Sequence, residues 1–145
     1  MSTDCIKSEN AMDKIQHLNL RLKQIGYEPE YGSLAFNDLT KSLKNNESVL
    51  YLLEGSIKNS LGFLIATDLR IFYIGVNKHK APIIAHIKYE DIISVMCVND
   101  DIIPSSEIMI NGKEEQHIKI MGCDQEAAEK FVKLINYFTE KNILQ

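Results

Sequence analysis

Cysteine and histidine are the residues of this chain whose chemistry could make a nucleophile or a metal site. A thiol beside an imidazole forms an activated nucleophile, so Cys97 with His86 or His117 is the pairing to consider. All three lie inside apolar segments without a local catalytic signature, and the two histidines are more simply exposed strand residues. The four histidines also lack the H-x-x-x-H and H-x-x-E-H spacings. We therefore expect no enzyme activity, no metal and no cofactor.

Acidic side chains form a second candidate group, with Asp100 and Asp101 near Glu90 and Asp91. A calcium loop needs oxygen ligands at alternating positions around a glycine bend. The segment "NDDIIPSSE" has no glycine. We interpret it as a charged connection between strands and predict no metal there.

The polar stretch from Thr67 to Arg70 presents an acid and an arginine together, between two apolar runs. If the stretch is a four-residue loop, Ala66 faces Ile71 and Phe63 faces Ile74 across a hairpin. That register places aromatic residues against aliphatic residues on one face, an arrangement that stabilises cross-strand pairs. The pattern therefore favours the corner of a hairpin over a reactive site.

The details of this corner follow from side-chain chemistry. A two-residue turn would require a positive φ at Leu69, which its Cβ disfavours. We expect Thr67 and Asp68 to accept hydrogen bonds from nearby backbone N–H groups. Arg70 is then a charge at the loop end, with Asp68 as its candidate partner.

Composition limits the classes of protein that the 145 residues can form. Hydrophobic residues make up 45% and charged residues 25%, with a formal net charge of −4, which is typical of one globular domain. No segment has the dense positive charge that nucleic acid requires. The three cysteines are widely spaced and form no C-x-x-C motif, so we expect reduced thiols. The N-terminus resembles no secretory signal, and the longest apolar runs are too short for a membrane helix, so we expect a cytoplasmic protein.

The spacing of apolar residues changes twice along the chain, from a helical pattern to a strand pattern and back to a helical one. Residues 1–46 predict an N-terminal extension of two helices, about 9–26 and 33–45. Residues 47–145 predict one domain, with seven antiparallel strands over about 47–121 and a final amphipathic helix over 124–141. Packing on the chain's own core is the favoured role of the extension, and a coiled coil is the alternative.

Two further features of this domain are predicted, one from the alternation of side chains along strands and one from the residues that cap the last helix. A two-residue turn at Asn111-Gly112 would put the isoleucines of the flanking strands on opposite faces. A three- or five-residue loop with Gly112 in the left-handed region restores them to one face. In the last helix, Asp124 is the expected N-cap, and the stripe that includes Phe131, Ile135 and Phe138 should cover the sheet.

Several stretches together resemble the bacterial pleckstrin-homology-like (PH-like) domains, the YokE-like group in particular. They are the acidic residue before the first strand (Glu47), the "TDLRI" corner (Thr67 to Ile71), the "IKYEDIISV" passage (Ile87 to Val95) and the helix "EAAEKFVKLI". The resemblance covers about residues 44–140. The resemblance implies an α+β fold, a seven-stranded antiparallel PH-like barrel or sandwich capped by a C-terminal helix. It also implies a binding or assembly module, several members of which self-associate, without catalytic residues.

Two surfaces of such a barrel are candidate binding sites. One is a cationic surface on loops that open at one end, carrying Lys58 together with the Lys78-His79-Lys80 loop. It lacks the basic cluster typical of phosphoinositide-binding relatives, although it could meet an anionic surface. The other is the strand "IISVMCV", which includes Ile93, Val95 and Cys97 and is unusually apolar for an edge strand. An extended peptide could add to this strand in a groove beside the last helix.

The sequence therefore predicts a non-enzymatic binding or assembly module that recognises a protein partner or a second copy of itself. The alternative is peripheral binding to an anionic membrane or headgroup through the loop from Lys78 to Lys80.

Overall fold

Seven antiparallel strands and one long C-terminal helix make up the domain in the computed structural model, which describes residue 20 and residues 39–75 and 83–144. The elements in chain order are β1 (Val49–Ile57), β2 (Ser60–Thr67), β3 (Arg70–Gly75), β4 (Ile83–Lys88), a 3-10 turn (Tyr89–Asp91), β5 (Ile92–Asn99), β6 (Ser105–Gly112), a second 3-10 turn (Lys113–Glu115), β7 (His117–Asp124) and α1 (Gln125–Leu144). The predicted seven strands and final helix are confirmed.

Residues 39–42 are helical as well and fall within the second predicted N-terminal helix. The first predicted helix, apart from residue 20, lies outside the described residues. The boundary between residues 46 and 47 stays a prediction.

The strands follow the order β4-β3-β2-β1-β7-β6-β5 in one antiparallel sheet. Successive antiparallel pairs link β1, β2, β3 and β4 into one group, and β5, β6 and β7 into another. The two groups meet where Ser56 of β1 pairs with Met121 of β7. Among the described strands, β4 and β5 are therefore the two edges.

The β2–β3 hairpin has the predicted register. Ala66 pairs with Ile71 and Phe63 pairs with Ile74. Neither Asp68 nor Leu69 is among the residues with positive φ, so the corner avoids the primed turn that a leucine would disfavour.

Asn111 pairs with His117 and Ile110 pairs with Ile118, so five residues form the β6–β7 loop. This is one of the two loop lengths predicted from the alternation of side chains. The predicted left-handed Gly112 is wrong: its φ is −126°, and Glu114 and Glu115 adopt the left-handed conformation instead. Close approach explains the glycine, since a Cβ at residue 112 would lie 2.3 Å from Ile87 Cδ1.

The main core lies between the inner faces of the strands and α1. Phe131 and Ile135 of the helix are fully buried there, and Phe131 contacts the Tyr51 ring edge-to-face with centroids 6.0 Å apart. The helix begins where expected, because the Asp124 carboxylate accepts a hydrogen bond from Ala127 N at 3.1 Å. The amphipathic stripe thus covers the sheet.

A second apolar cluster lies on the face of β1, β2 and β3 that points away from the main core. Phe63, Ile65 and Phe72 are buried in it, together with Leu39 and Leu43 from the segment before β1. Strands β2 and β3 are consequently buried on both faces, which explains their continuous apolar runs. Residues 39–43 are part of the folded unit.

Gly62 gives a test of this packing. A Cβ at residue 62 would lie 2.1 Å from Ile74 O and 2.7 Å from the Tyr73 hydroxyl, which donates a hydrogen bond to Ser60 O. We expect Gly62→Ala to lower the free energy of unfolding by about 1–3 kcal/mol or more, measured by urea denaturation.

The matched control is Gly122→Ala, where the Cβ meets open space and only the φ of 73° is unfavourable. That change should cost about 1 kcal/mol. An equal or smaller loss in Gly62→Ala would contradict the close packing of β2 on β3.

Candidate functional site

The candidate site is the edge strand β5, which pairs with β6 and with no other described strand. Three of its exposed side chains are large and apolar: Ile93 is 69% exposed, Met96 46% and Val98 52%. No charged residue or proline lies within Ile92–Asn99. Natural edge strands usually carry such residues to prevent pairing with other chains, so β5 is an unprotected edge.

The start of β5 is held by Tyr89 in the preceding 3-10 turn. The Tyr89 ring stacks on Phe138 of α1 with centroids 5.0 Å apart, and its hydroxyl donates a hydrogen bond to Thr67 O. Burial raises the pKa of this hydroxyl above its ordinary value, so it stays protonated and able to donate. Tyr89 thereby fixes β5 relative to both the helix and the β2–β3 corner.

The three predicted site residues of β5 do not share one surface. Ile93 points outward, whereas Val95 and Cys97 are half-buried and pack against the main core. Simple alternation would place all three side chains on one face, but a register irregularity between Ile92 and Ser94 displaces the phase and turns Ile93 to the opposite face. The outward surface of β5 is formed by Ile93, Ser94, Met96 and Val98.

The turn after β5 is ordered by Asp100. Its carboxylate accepts hydrogen bonds from Ile102 N at 2.7 Å and Ile103 N at 3.1 Å, which keep the pKa of Asp100 below its ordinary value. Ser105 O accepts a further bond from Asp100 N at 2.9 Å. The turn holds Ile102 94% exposed.

A cleft of about 380 Å³ lies beside this turn. Apolar and acidic groups both line it, including Val98, Asp101, Ile102, Glu107 and Met121. The cleft is continuous with the outward surface of β5 through Val98. An extended segment on that surface would therefore pass beside carboxylates at the C-terminal end of the strand.

The structure does not bring Cys97 together with either histidine. His86 lies on β4 at the opposite end of the strand order, and His117 lies on β7, beyond β6. Cys123 is fully buried, and burial raises the pKa of its thiol to about 12. Within the described part of the chain, no three or more His, Cys, Asp or Glu side chains are grouped as metal ligands.

Of the predicted cationic surface, the described residues include Lys58. It is exposed in the β1–β2 turn, where Lys58 and Asn59 both have positive φ. The loop carrying Lys78, His79 and Lys80 lies outside the described residues, so the cationic surface stays a prediction. Among the helices described, none has both the length and the apolar character to cross a membrane.

Arg70 corrects the sequence prediction at the β2–β3 corner. Its partner is Glu47, not Asp68: Arg70 Nε lies 3.0 Å and Nη2 3.1 Å from the two carboxylate oxygens of Glu47. Nη2 also donates to Ser42 O at 2.7 Å. Asp68 accepts a hydrogen bond from Ser48 N, so it caps β1 from across the corner. We call Glu47, Thr67 and Arg70 the buried clasp.

Among the described residues, no buried side-chain nitrogen or oxygen lacks a hydrogen-bond partner, and this holds for the clasp. Thr67 donates to Glu47 at 2.6 Å and accepts from the backbone N–H groups of Leu69 and Arg70. Burial alone would raise the pKa of Glu47, but hydrogen bonds from Arg70, Thr67 and Lys44 N outweigh it and hold the pKa below 4.5. The clasp joins the N-terminal segment to the sheet, so its acid and arginine serve the fold.

Sequence reasoning missed this ion pair because its members are 23 residues apart. The sequence feature that could have indicated this ion pair was the set of residues that carried the family resemblance. Glu47, Thr67, Arg70 and Tyr89 all belong to that set, and in the structure they form one connected hydrogen-bond network.

Comparison with known protein families confirms the resemblance that the sequence indicated. Residues 43–137 match the family described as Bacterial PH domain. No curated protein is similar enough in sequence to count as a match. Among solved structures, the Vps36 N-terminal PH domain aligns with a TM-score of 0.51 at 14% identity, covering 71% of this chain and 86% of that one.

A C-terminal domain of an unknown protein from Leishmania infantum aligns with a TM-score of 0.49 at 14% identity, covering 72% of this chain and 91% of that one. At 14% identity, the likeness to the Vps36 domain concerns the fold alone. PH-like domains commonly bind proteins or lipids and are generally non-catalytic.

Proposed function

The chain belongs to the bacterial PH domain family, and we propose that it is a non-enzymatic module that binds an extended segment of a partner protein along β5. The observation that carries the proposal is the exposed, uncharged and unprotected edge of β5. An extended peptide can add to such an edge by main-chain hydrogen bonds, and its alternate side chains then contact the outward side chains of the strand.

Three features of the described structure support β5 over other surfaces. Its outward residues include the exposed apolar side chains of Ile93, Met96 and Val98, interrupted by the small Ser94; we call this surface the apolar strip. Methionine adapts its shape to different partners, which suits a surface for peptide side chains. Tyr89 and α1 hold the strand in place, so little ordering of the domain would oppose binding.

Assembly of the chain with itself and binding to an anionic membrane are the two competing functions. The first would use the same edge, and the second would use the loop from Lys78 to Lys80. The experiment below separates the three functions.

Peptides selected from a random 12-residue library should bind the wild-type domain, with the dissociation constant measured by fluorescence anisotropy. We expect Met96→Lys to weaken binding by about tenfold or more, because it places a charge in the apolar strip. Since Met96 is exposed, the thermal unfolding of this variant should be nearly unchanged.

Leu61→Lys is the matched control, because Leu61 is a 44% exposed apolar residue on β2. It should leave peptide affinity unchanged. Equal affinity of the selected peptides for wild type and Met96→Lys would contradict docking on β5. Sedimentation of the free domain as a dimer that Met96→Lys dissociates would favour self-assembly. Flotation with phosphatidylserine vesicles that Met96→Lys does not change would favour the membrane.

A further inference from the structure

The charges around β5 indicate which class of peptide it would accept, an inference that rests on the function proposed above. Glu90 and Asp91 come directly before the strand, and Asp100 and Asp101 come directly after it. The eight residues between them carry no charge. At about 3.3 Å per residue, the two acidic pairs lie about 25–30 Å apart at opposite ends of the edge.

These carboxylates are available to a partner. Glu90, Asp100 and Asp101 are exposed, and Asp91 is half-buried. The ion pairs between described residues involve other acids, such as Glu107, which is 3.0 Å from Lys119 Nζ. Within the described part of the chain, these four carboxylates therefore have no ion-pair partner.

In the registers that overlap the whole of β5, a second copy of the chain is a poor match for this edge. If two β5 strands paired antiparallel about a two-fold axis at Met96, Asp101 of each copy would face Asp91 of the other. An axis at Val95 would place Asp100 opposite Glu90. In-register parallel pairing would also place each acidic pair beside its own copy. Like charges directly opposite one another destabilise strand pairing, and an anionic membrane would be repelled for the same reason.

We infer that β5 accepts an extended peptide with an uncharged apolar centre of about seven residues and Lys or Arg at both ends. The centre would pair with the strand and cover Met96 and Val98. The basic ends would lie beside the Glu90–Asp91 and Asp100–Asp101 pairs. Because the adaptable apolar strip tolerates many side chains, the flanking charges carry most of the selectivity.

Three synthetic peptides with the common centre Val-Thr-Val-Ser-Val-Thr-Val test the inference by fluorescence anisotropy. They differ only in their flanks, which are Lys-Lys, Gln-Gln or Glu-Glu at both ends. We expect the Lys peptide to bind at least tenfold more tightly than the Glu peptide, with the Gln peptide between them. The difference should decrease as the salt concentration rises from about 50 to 300 mM, because salt screens exposed charges.

The double variant Glu90→Lys plus Asp101→Lys should bring the affinities of the Lys and Glu peptides to within about twofold of each other, because each end of the strand then carries one positive and one negative side chain. Asp100 is left intact because it orders the turn. The control is Glu129→Lys plus Glu140→Lys, which changes the same charge at exposed positions on the face of α1 opposite its buried residues. This control should keep the wild-type order.

Each outcome has a separate meaning. Equal binding of the three peptides would overturn the inference about charge and leave docking on β5 standing. Failure of all three to bind, while library-selected peptides bind in a Met96-dependent way, would also overturn only the inference. Binding of a Lys-flanked Gly-Ser peptide as tightly as the Lys peptide would show attraction without strand pairing and would overturn it too.

Discussion

Arg70→Ala is expected to lower the free energy of unfolding by about 3–5 kcal/mol, a large part of the about 5–15 kcal/mol that stabilises a typical domain. The Glu47 side chain is 0% exposed, and Arg70 is its ion-pair partner at 3.0 Å. Removing the guanidinium leaves a carboxylate buried without its counter-charge. The substitution also removes the hydrogen bond to Ser42 O and the contact with the Phe72 ring, whose centroid lies 4.6 Å from Arg70 Cζ. Urea denaturation at pH 7 measures the loss.

Lys119→Ala is the matched control for this prediction. The Lys119–Glu107 pair has the same 3.0 Å separation, but its side chains are 53% and 26% exposed. Solvent weakens such a pair, so we expect a loss of about 0–1 kcal/mol. Equal losses in the two variants would contradict the role assigned to the buried clasp.

The pH dependence gives the clasp a second signature. In the wild type, the depressed pKa of Glu47 contributes stability above pH 4.5, and that contribution is lost as the pH falls toward the folded-state pKa. In Arg70→Ala, the burial of the carboxyl remains and raises its pKa instead. The deficit of the variant should therefore be smaller at pH 4 than at pH 7. A deficit that grew on acidification would contradict this assignment.

Phe131→Ala should lower the free energy of unfolding by about 3–5 kcal/mol, because it leaves a cavity between α1 and the sheet. Phe131 is fully buried and makes the edge-to-face contact with Tyr51. The measurement is again urea denaturation, with near-ultraviolet circular dichroism to follow the tyrosines. Lys133→Ala, on the exposed face of the same helix, should change stability by no more than about 0.5 kcal/mol. A comparably small effect of Phe131→Ala would mean that the helix does not seal the core.

Side-chain parity made much of the fold predictable from the sequence. At the β2–β3 corner, one register places Phe63 and Ile65 against Ile74 and Phe72, and the structure has that register. In the β6–β7 hairpin the same test required an odd loop length. It could not identify which residue takes the left-handed conformation, because Gly112 is needed for close approach to Ile87.

Long-range contacts account for what the sequence did not predict. The Arg70–Glu47 pair depends on how the segment before β1 meets the sheet, whereas local reasoning offered the nearer Asp68. The family resemblance predicted that β5 is an edge strand, and the strand order places it at an edge. A register irregularity near Ser94 then decided that Ile93 points outward while Val95 and Cys97 point to the core. The acidic pairs were visible in the sequence, but their position at the two ends of an exposed edge required the strand order.

The measurement that most directly tests docking on β5 is a titration of the ¹⁵N-labelled full chain with the Lys-flanked peptide, followed by amide chemical shifts and hydrogen exchange. If the peptide docks on β5, the largest shift changes and the gain in exchange protection occur within Ile92–Asn99. Changes concentrated at the β1–β2 turn around Lys58, with the amides of β5 unaffected, would contradict docking on β5.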